Sequence, residues 1–127
     1  MDNSVVTQPP GVPRRQVPQV VLPELVARVA DGNRVGAGGA LLTRLPLSAL
    51  HALAARRPRD LVYVSWGGGI PLEILLGADA VAEIEFCFSS LDIFGPAPMF
   101  RRAREDERVA FGEWPAFAFT ARPEEAR

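Results

Sequence analysis

The stretch LVYVSWGGG, residues 61–69, decides the fold that we predict for this 127-residue chain. Residues 61–65 are apolar on both faces, which is typical of a strand inside a parallel sheet. The three glycines after them predict a loop, and residues 71–76 then begin a helix that ends at Gly77. A buried strand, a glycine loop and a helix in this order indicate an α/β protein.

The same alternation continues on both sides of this stretch. Upstream, a helix with Leu22, Leu25, Val26 and Val29 on one face precedes a short strand at 34–37 and a helix at 45–56. Downstream, we predict strands at 81–88 and 108–111 and helices at 98–105 and 114–120. The pattern predicts an open parallel sheet with helices on both faces and right-handed crossovers. Ligands of such sheets bind beyond the carboxyl ends of the strands, where both glycine loops should lie.

Composition defines the class of protein. Residues 1–20 are proline-rich and predict an extended arm, residues 21–122 one α/β domain, and residues 123–127 a polar tail. A net charge of −1 gives no field that would attract nucleic acid or an anionic membrane. No apolar run reaches the ~18 residues that span a bilayer, and prolines and arginines interrupt any signal peptide. We therefore expect a cytoplasmic protein.

Residue counts exclude several chemistries. One cysteine, Cys87, excludes an internal disulfide, and one histidine, His51, argues against an internal His/Cys metal site, so no metal is expected. All 14 basic residues are arginine. The absence of lysine excludes a Schiff base and a Walker A loop.

Two glycine loops are the strongest candidate sites. Gly36, Gly38 and Gly39 lie between a strand and a helix, where backbone N–H groups can approach an anion or an acyl oxygen. A tight turn explains the same glycines equally well. Gly67 and Gly68 are candidates of the same kind, with a flexible loop as the alternative. The first loop lacks the dinucleotide-binding pattern.

Charged side chains give weaker signals. Glu73, early in its helix, is interpreted as a partner of the helix dipole. Glu83 and Glu85 share a strand face and could do acid–base chemistry, although a polar strand face is the commoner explanation. Arg101 is suited to phosphate binding, with a solvated helix face as the alternative. Cys87 is interpreted as a packing thiol, and His51 as a surface residue of its helix.

From about residue 22 to residue 120 the chain resembles the α subunits of class I CoA-transferases, the glutaconate and 3-oxoacid transferase group. The segments that carry the resemblance occur in the family's order: DGNRVGAGG (31–39), RLPL (44–47), RDLVYV (59–64), LEILLGA (72–78), FSSLD (88–92), APMFRRA (97–103) and EW (113–114). They cover only the N-terminal half of such a subunit, so a truncated CoA-transferase fold is expected.

The resemblance implies a subunit of a heteromeric enzyme that acts on a coenzyme A thioester and is inactive alone. The glutamate that attacks the acyl-CoA belongs to a β-subunit-like partner. On this chain the resemblance gives Gly38 and Gly39 an oxyanion or acyl-pocket role. Two alternatives stay open. Residues 88–92 resemble a branch that hydrolyses carbon–carbon bonds in CoA esters of steroid-ring fragments, which favours a CoA-ester hydrolase or lyase subunit. The chain could also be a non-catalytic structural subunit that kept the fold.

Overall fold

A computed structural model describes residues 19–121 of the protein. Four strands form one sheet in the order β1-β2-β3-β4, and every neighbouring pair is parallel. The strands are β1 (Arg34–Val35), β2 (Leu61–Gly67), β3 (Val81–Phe88) and β4 (Ala110–Glu113). The helices are α1 (Leu22–Ala27), α2 (Leu47–Ala55), α3 (Gly69–Gly77), α4 (Pro98–Glu105) and α5 (Ala116–Thr120), with a 3₁₀ turn at Asp92–Phe94. The predicted parallel α/β sheet is confirmed.

The helices occupy both faces of the sheet, as predicted. The strand order in this parallel sheet follows the order in the sequence. All the crossovers can then be right-handed only if the connecting helices lie on the same face of the sheet. Accordingly α1, α2, α3 and α4 pack one against the next. In contrast, α5 contacts β2 and β3. Its Phe119 lines a cavity with Val64, which alternates along β2 with the core residue Tyr63, so α5 covers the opposite face.

The core lies between the sheet and the four-helix layer. Leu61, Tyr63 and Ile84 on the strands are fully buried against Leu72 and Leu75 of α3. Three phenylalanines extend this core toward β4: the rings of Phe86, Phe100 and Phe111 meet edge to face, with centroids 5.2–6.2 Å apart. Such edge-to-face contacts match the positive edge of one ring to the negative face of another.

Several predicted boundaries shift. β1 ends at Val35 rather than at residue 37, because the glycine loop leaves the ladder, and β4 begins at Ala110 rather than at 108. In α1 the predicted apolar face is wrong in part, since Val26 is buried while Leu22 and Leu25 are 37% and 44% exposed. Most of the predicted arm, and all of the predicted tail at 123–127, lie outside the described residues.

Glu73 has a different role from the one predicted. α3 begins at Gly69, so Glu73 lies beyond the first turn of its own helix. Its carboxylate instead accepts hydrogen bonds from the backbone N–H groups of Met99 and Phe100, both at 2.8 Å. These are unsatisfied donors of the first turn of α4, whose N-cap, Ala97, has no side chain to bond them. Glu73 therefore caps a neighbouring helix.

Within residues 19–121, none of the helices has the length and hydrophobicity that crossing a bilayer requires.

Candidate active site

The two glycine loops meet at the carboxyl edge of the sheet. β1 leads into the loop at 36–41, and β2 ends at Gly67, next to it. Leu41 joins the loops: its carbonyl accepts a hydrogen bond from Ile70 N–H at 3.1 Å. A Cβ on Gly69 would lie 2.5 Å from the same carbonyl, so this close approach requires glycine. Both glycine segments lie at this edge, as predicted. The second is shorter than the predicted loop, because β2 runs to Gly67 and α3 begins at Gly69 rather than at 71.

The first loop is shaped by a tight turn. Ala40 and Thr43 exchange two backbone hydrogen bonds, of 3.0 and 2.6 Å. Gly39 enters this turn with φ of +119°, and a Cβ there would lie 2.7 Å from Arg44 O. Gly38 differs, since an added Cβ would meet no atom within 4 Å. The turn therefore requires Gly39, whereas packing leaves Gly38 free to vary.

A cavity of about 600 Å³ lies between the two loops and α5. Within residues 19–121, the N–H groups of Gly38 and Gly39 donate no hydrogen bond to another protein group. Backbone N–H groups of this kind can donate hydrogen bonds to a carbonyl oxygen or an oxyanion. The lining residues are Gly36, Ala37, Gly38, Gly39, Ala40, Leu41, Val64, Ser65, Trp66, Gly67 and Phe119.

An ion pair between a half-exposed arginine and a buried glutamate lies on the sheet face that α5 covers. The Arg34 guanidinium reaches across β2 to the carboxylate of Glu85, at 2.6 Å. The Glu85 side chain is 8% exposed and that of Arg34 42%. The pair adjoins the cavity through the backbone, because Val64 is the register partner of Glu85. Glu85 is thus a buried, paired carboxylate, and the prediction of a merely polar strand face is wrong for it.

The structure brings some of the predicted site residues together and not others. Gly36, Gly38, Gly39 and Gly67 line one cavity. Gly68 lies outside the lining and is buried against Ser89 and Leu72. Arg101 lies on the exposed side of α4, where it pairs with Glu105 at 3.7 Å, and it does not line the cavity either.

Several cavity residues were not singled out from the sequence, and the largest of them are Leu41, Trp66 and Phe119. Trp66 is 50% exposed and packs edge-on against Phe88, with ring centroids 4.9 Å apart. Its position directly before the glycines was the one available signal. Leu41 and Phe119 had no signal in the sequence, because Leu41 lies in a turn and Phe119 lies on a helix that packs against the second face of the sheet.

Cys87 lies near the carboxyl end of β3 and is half-buried. Burial raises the pKa of its thiol above the ordinary value. A raised pKa lowers the fraction of thiolate, which is the reactive form. The local environment of Cys87 therefore fits the predicted packing role.

Several solved structures are similar to this chain, among them a decarboxylase and a coenzyme A-transferase. A chain in the crystal structure of a cysteine-to-serine variant of the decarboxylase AibA/AibB matches with a TM-score of 0.72 and 31% sequence identity, over 77% of this chain and 38% of that one. The glutaconate coenzyme A-transferase of Acidaminococcus fermentans matches with a TM-score of 0.70 and 19% identity, over 78% of this chain and 32% of that one. This chain thus spans well under half the length of either. No protein-family model matches it, and no curated protein sequence matches it significantly.

Both likenesses extend over more than three-quarters of the chain. The chain has a CoA-transferase-like α/β fold, as the sequence resemblance implied.

Proposed function

We propose that this chain is one subunit of a heteromeric CoA-transferase-like enzyme, acts on acyl-CoA or related thioesters, and is inactive alone. The observation that carries the proposal is the position of the 36–39 loop, which lines a cavity at the carboxyl edge of a CoA-transferase-like sheet. In open α/β sheets this edge is where ligands bind.

The role of the loop follows from thioester chemistry. When a nucleophile attacks the carbonyl carbon of a thioester, negative charge develops on the carbonyl oxygen. The N–H groups of Gly38 and Gly39 supply donors that can stabilise this charge, and a donor of this type contributes about 3 kcal/mol to a transition state. The C–S bond then breaks and coenzyme A leaves as the thiolate. The nucleophile is a glutamate of the partner chain.

Trapping the covalent intermediate tests the assignment of the nucleophile. The full-length protein is purified from its natural host with its co-purifying chains, incubated with acyl-CoA, and treated with hydroxylamine or borohydride. Mass spectrometry should locate the modified glutamate on the partner. A modified peptide from residues 81–89 would instead place the nucleophile on this chain, with Glu85 as the first candidate.

Substitutions in the glycine loop test its contribution to catalysis. Gly38→Val has room in the structure and should leave assembly intact. Its side chain would occupy the open space beside the loop and keep the thioester oxygen away from the N–H donors, so kcat should fall by at least about a hundredfold. Gly77→Val is the matched control, because that glycine also has open space around it and does not line the cavity. Normal turnover by an assembled Gly38→Val complex would remove the loop from the mechanism. Gly39→Ala is unsuitable for this purpose, since its Cβ would clash with the turn.

A second candidate function is decarboxylation of a CoA ester. It is favoured by the 31% identity to the AibA/AibB chain, compared with 19% to the transferase. The two candidates differ in their requirement for a second substrate. A transferase needs an acceptor carboxylic acid and releases no carbon dioxide, whereas a decarboxylase releases carbon dioxide from a carboxylated acyl-CoA without an acceptor. Measuring both products in the same purified complex separates them.

A further inference from the structure

The cavity between the glycine loops has a wall without charge. Among residues 19–121, every side chain that lines it is neutral, and the larger ones are those of Leu41, Val64, Trp66 and Phe119. Ser65 is the polar exception, but its hydroxyl donates to the Gly67 carbonyl at 2.6 Å. Apart from the uncharged indole N–H of Trp66, what remains is hydrocarbon surface beside the backbone N–H groups of the first loop.

Two charged side chains close to the cavity compensate each other. Arg34 precedes Gly36 by two residues, and Glu85 is in register with Val64, yet these two side chains pair with each other at 2.6 Å. The pair is neutral as a unit. Burying a carboxylate without a compensating cation is strongly unfavourable, whereas burying methylene groups against apolar side chains is favourable.

We infer that this cavity selects acyl groups whose far end is uncharged hydrocarbon and discriminates against acyl groups that end in a carboxylate. The thioester oxygen lies toward the N–H groups of Gly38 and Gly39, and the acyl chain packs against Leu41, Trp66 and Phe119. This inference rests on the proposed function, and it names the substrate class of the same site.

Two ligands matched in carbon number test the inference. Pentanoyl-CoA and glutaryl-CoA both carry five-carbon acyl groups and differ in whether the far end is a methyl group or a carboxylate. Their dissociation constants are measured on the full-length protein with its co-purifying partner, with free coenzyme A as reference. We expect pentanoyl-CoA to bind at least about tenfold more tightly than glutaryl-CoA.

A charged side chain placed in the wall should change this ratio. Trp66→Arg adds a cation at a half-exposed position, and we expect the preference for pentanoyl-CoA to shrink or reverse. Val21→Arg is the matched control: it adds the same charge at a residue that is 62% exposed and does not line the cavity, so the ratio should stay as in the wild type. The comparison of ligands on the wild-type protein stands by itself if Trp66→Arg does not fold.

The outcomes separate the inference from the proposed function. Equal binding of the two ligands, or tighter binding of glutaryl-CoA, overturns the inference while CoA thioester binding stands, and the second result favours the decarboxylase. An unchanged ratio in folded Trp66→Arg also overturns it. If neither ligand binds better than free coenzyme A, the proposed function fails, and the inference fails with it.

Discussion

Tyr63 is the residue at which burial has the clearest chemical consequence. It is fully buried, and within the described residues its hydroxyl has no hydrogen-bond partner of good geometry. Desolvation raises the pKa of Tyr63 from 10.0 to about 12, and the nearby Ser65 hydroxyl opposes this rise by a smaller amount. Ser65 donates to Gly67 O, so we regard the Tyr63 hydroxyl as unsatisfied.

The alkaline stability of the protein should therefore report on Tyr63. Because the pKa of Tyr63 is raised in the folded state, its contribution to the free energy of unfolding is fully present below pH 10. This contribution is lost as the pH rises toward about 12. The free energy of unfolding should fall by about 2–3 kcal/mol over this pH range. Tyr63 is the only tyrosine of the chain, so absorbance at ~295 nm follows its ionisation directly. An ionisation midpoint near 10 in the folded protein would contradict this assignment.

The substitution Tyr63→Phe provides the control. It removes the ionisable group and keeps the ring in the core. Near pH 7 the free energy of unfolding should be unchanged or rise by about 1 kcal/mol, because an unsatisfied buried hydroxyl disappears. Between pH 10 and 12 the variant should keep most of the stability that the wild type loses, as measured by urea unfolding at each pH.

At the scale of elements, a helix cap joins α3 to α4: the Glu73 side chain of α3 caps the N-terminus of α4. Glu73→Ala removes both acceptors of the Met99 and Phe100 N–H groups and should lower the free energy of unfolding by about 1–2 kcal/mol. Glu73→Gln keeps one acceptor oxygen and should cost less. Glu105→Ala, at the other end of α4, should cost about 0.5 kcal/mol or less, because it breaks only an exposed pair. Equal effects of the Glu73 and Glu105 substitutions in urea unfolding would refute the cap.

β1 is tied to the sheet by a side chain as well as by its ladder. It has two residues, and Arg34 extends from it across β2 to Glu85 of β3. Removing one member of a buried ion pair costs more than replacing both by apolar residues. We expect Arg34→Met to lower the free energy of unfolding by about 1–3 kcal/mol, less than for a fully buried pair because Arg34 is half-exposed.

A double substitution tests the coupling between these two residues. Glu85→Leu added to Arg34→Met should restore part of the stability, since the buried carboxylate is removed with its partner. The difference between the single and double variants is measured by urea unfolding at one fixed protein concentration. Simple additivity of the two substitutions would show that the pair does not act as a unit.

A helix or strand could be predicted from the sequence where its own residues form a pattern of apolar and polar side chains. The apolar run at 61–65 and the alternation at 81–88 predicted β2 and β3, since burial on one or both faces leaves a direct pattern. The cap by Glu73 joins residues 26 and 27 positions apart, and the Arg34–Glu85 pair crosses an intervening strand, so neither has a local pattern. In the site, the glycines predicted the two segments that line the cavity. Phe119 could not be predicted as a lining residue, because only the packing of α5 on the sheet brings it there.

At the scale of the whole molecule, large apolar side chains remain exposed around the carboxyl edge of the sheet. Ile93 and Phe94 of the 3₁₀ turn are 84% and 74% exposed, and Phe117 of α5 is 77% exposed. Trp66 is half-exposed in the same region, next to the cavity. Within the described residues, β1 and β4 each pair with one neighbour, so each leaves one side of its backbone unpaired. Apolar clusters and open strand edges of this kind are typical of surfaces that bind another chain.

We therefore predict a stable heteromer, with the partner covering β4 or α2, the helix that carries His51. Sedimentation velocity at micromolar concentration should show this chain alone as associated or aggregated species, and the purified complex as one defined assembly. Ile93→Glu together with Phe94→Glu should weaken the complex by at least about tenfold if the 3₁₀ turn contributes to the interface. Arg102→Glu, on the exposed side of α4, adds negative charge without removing apolar surface and should leave assembly unchanged. A folded, soluble 13.8-kDa monomer at that concentration would contradict the prediction, because these apolar side chains would then be stable in water without a partner.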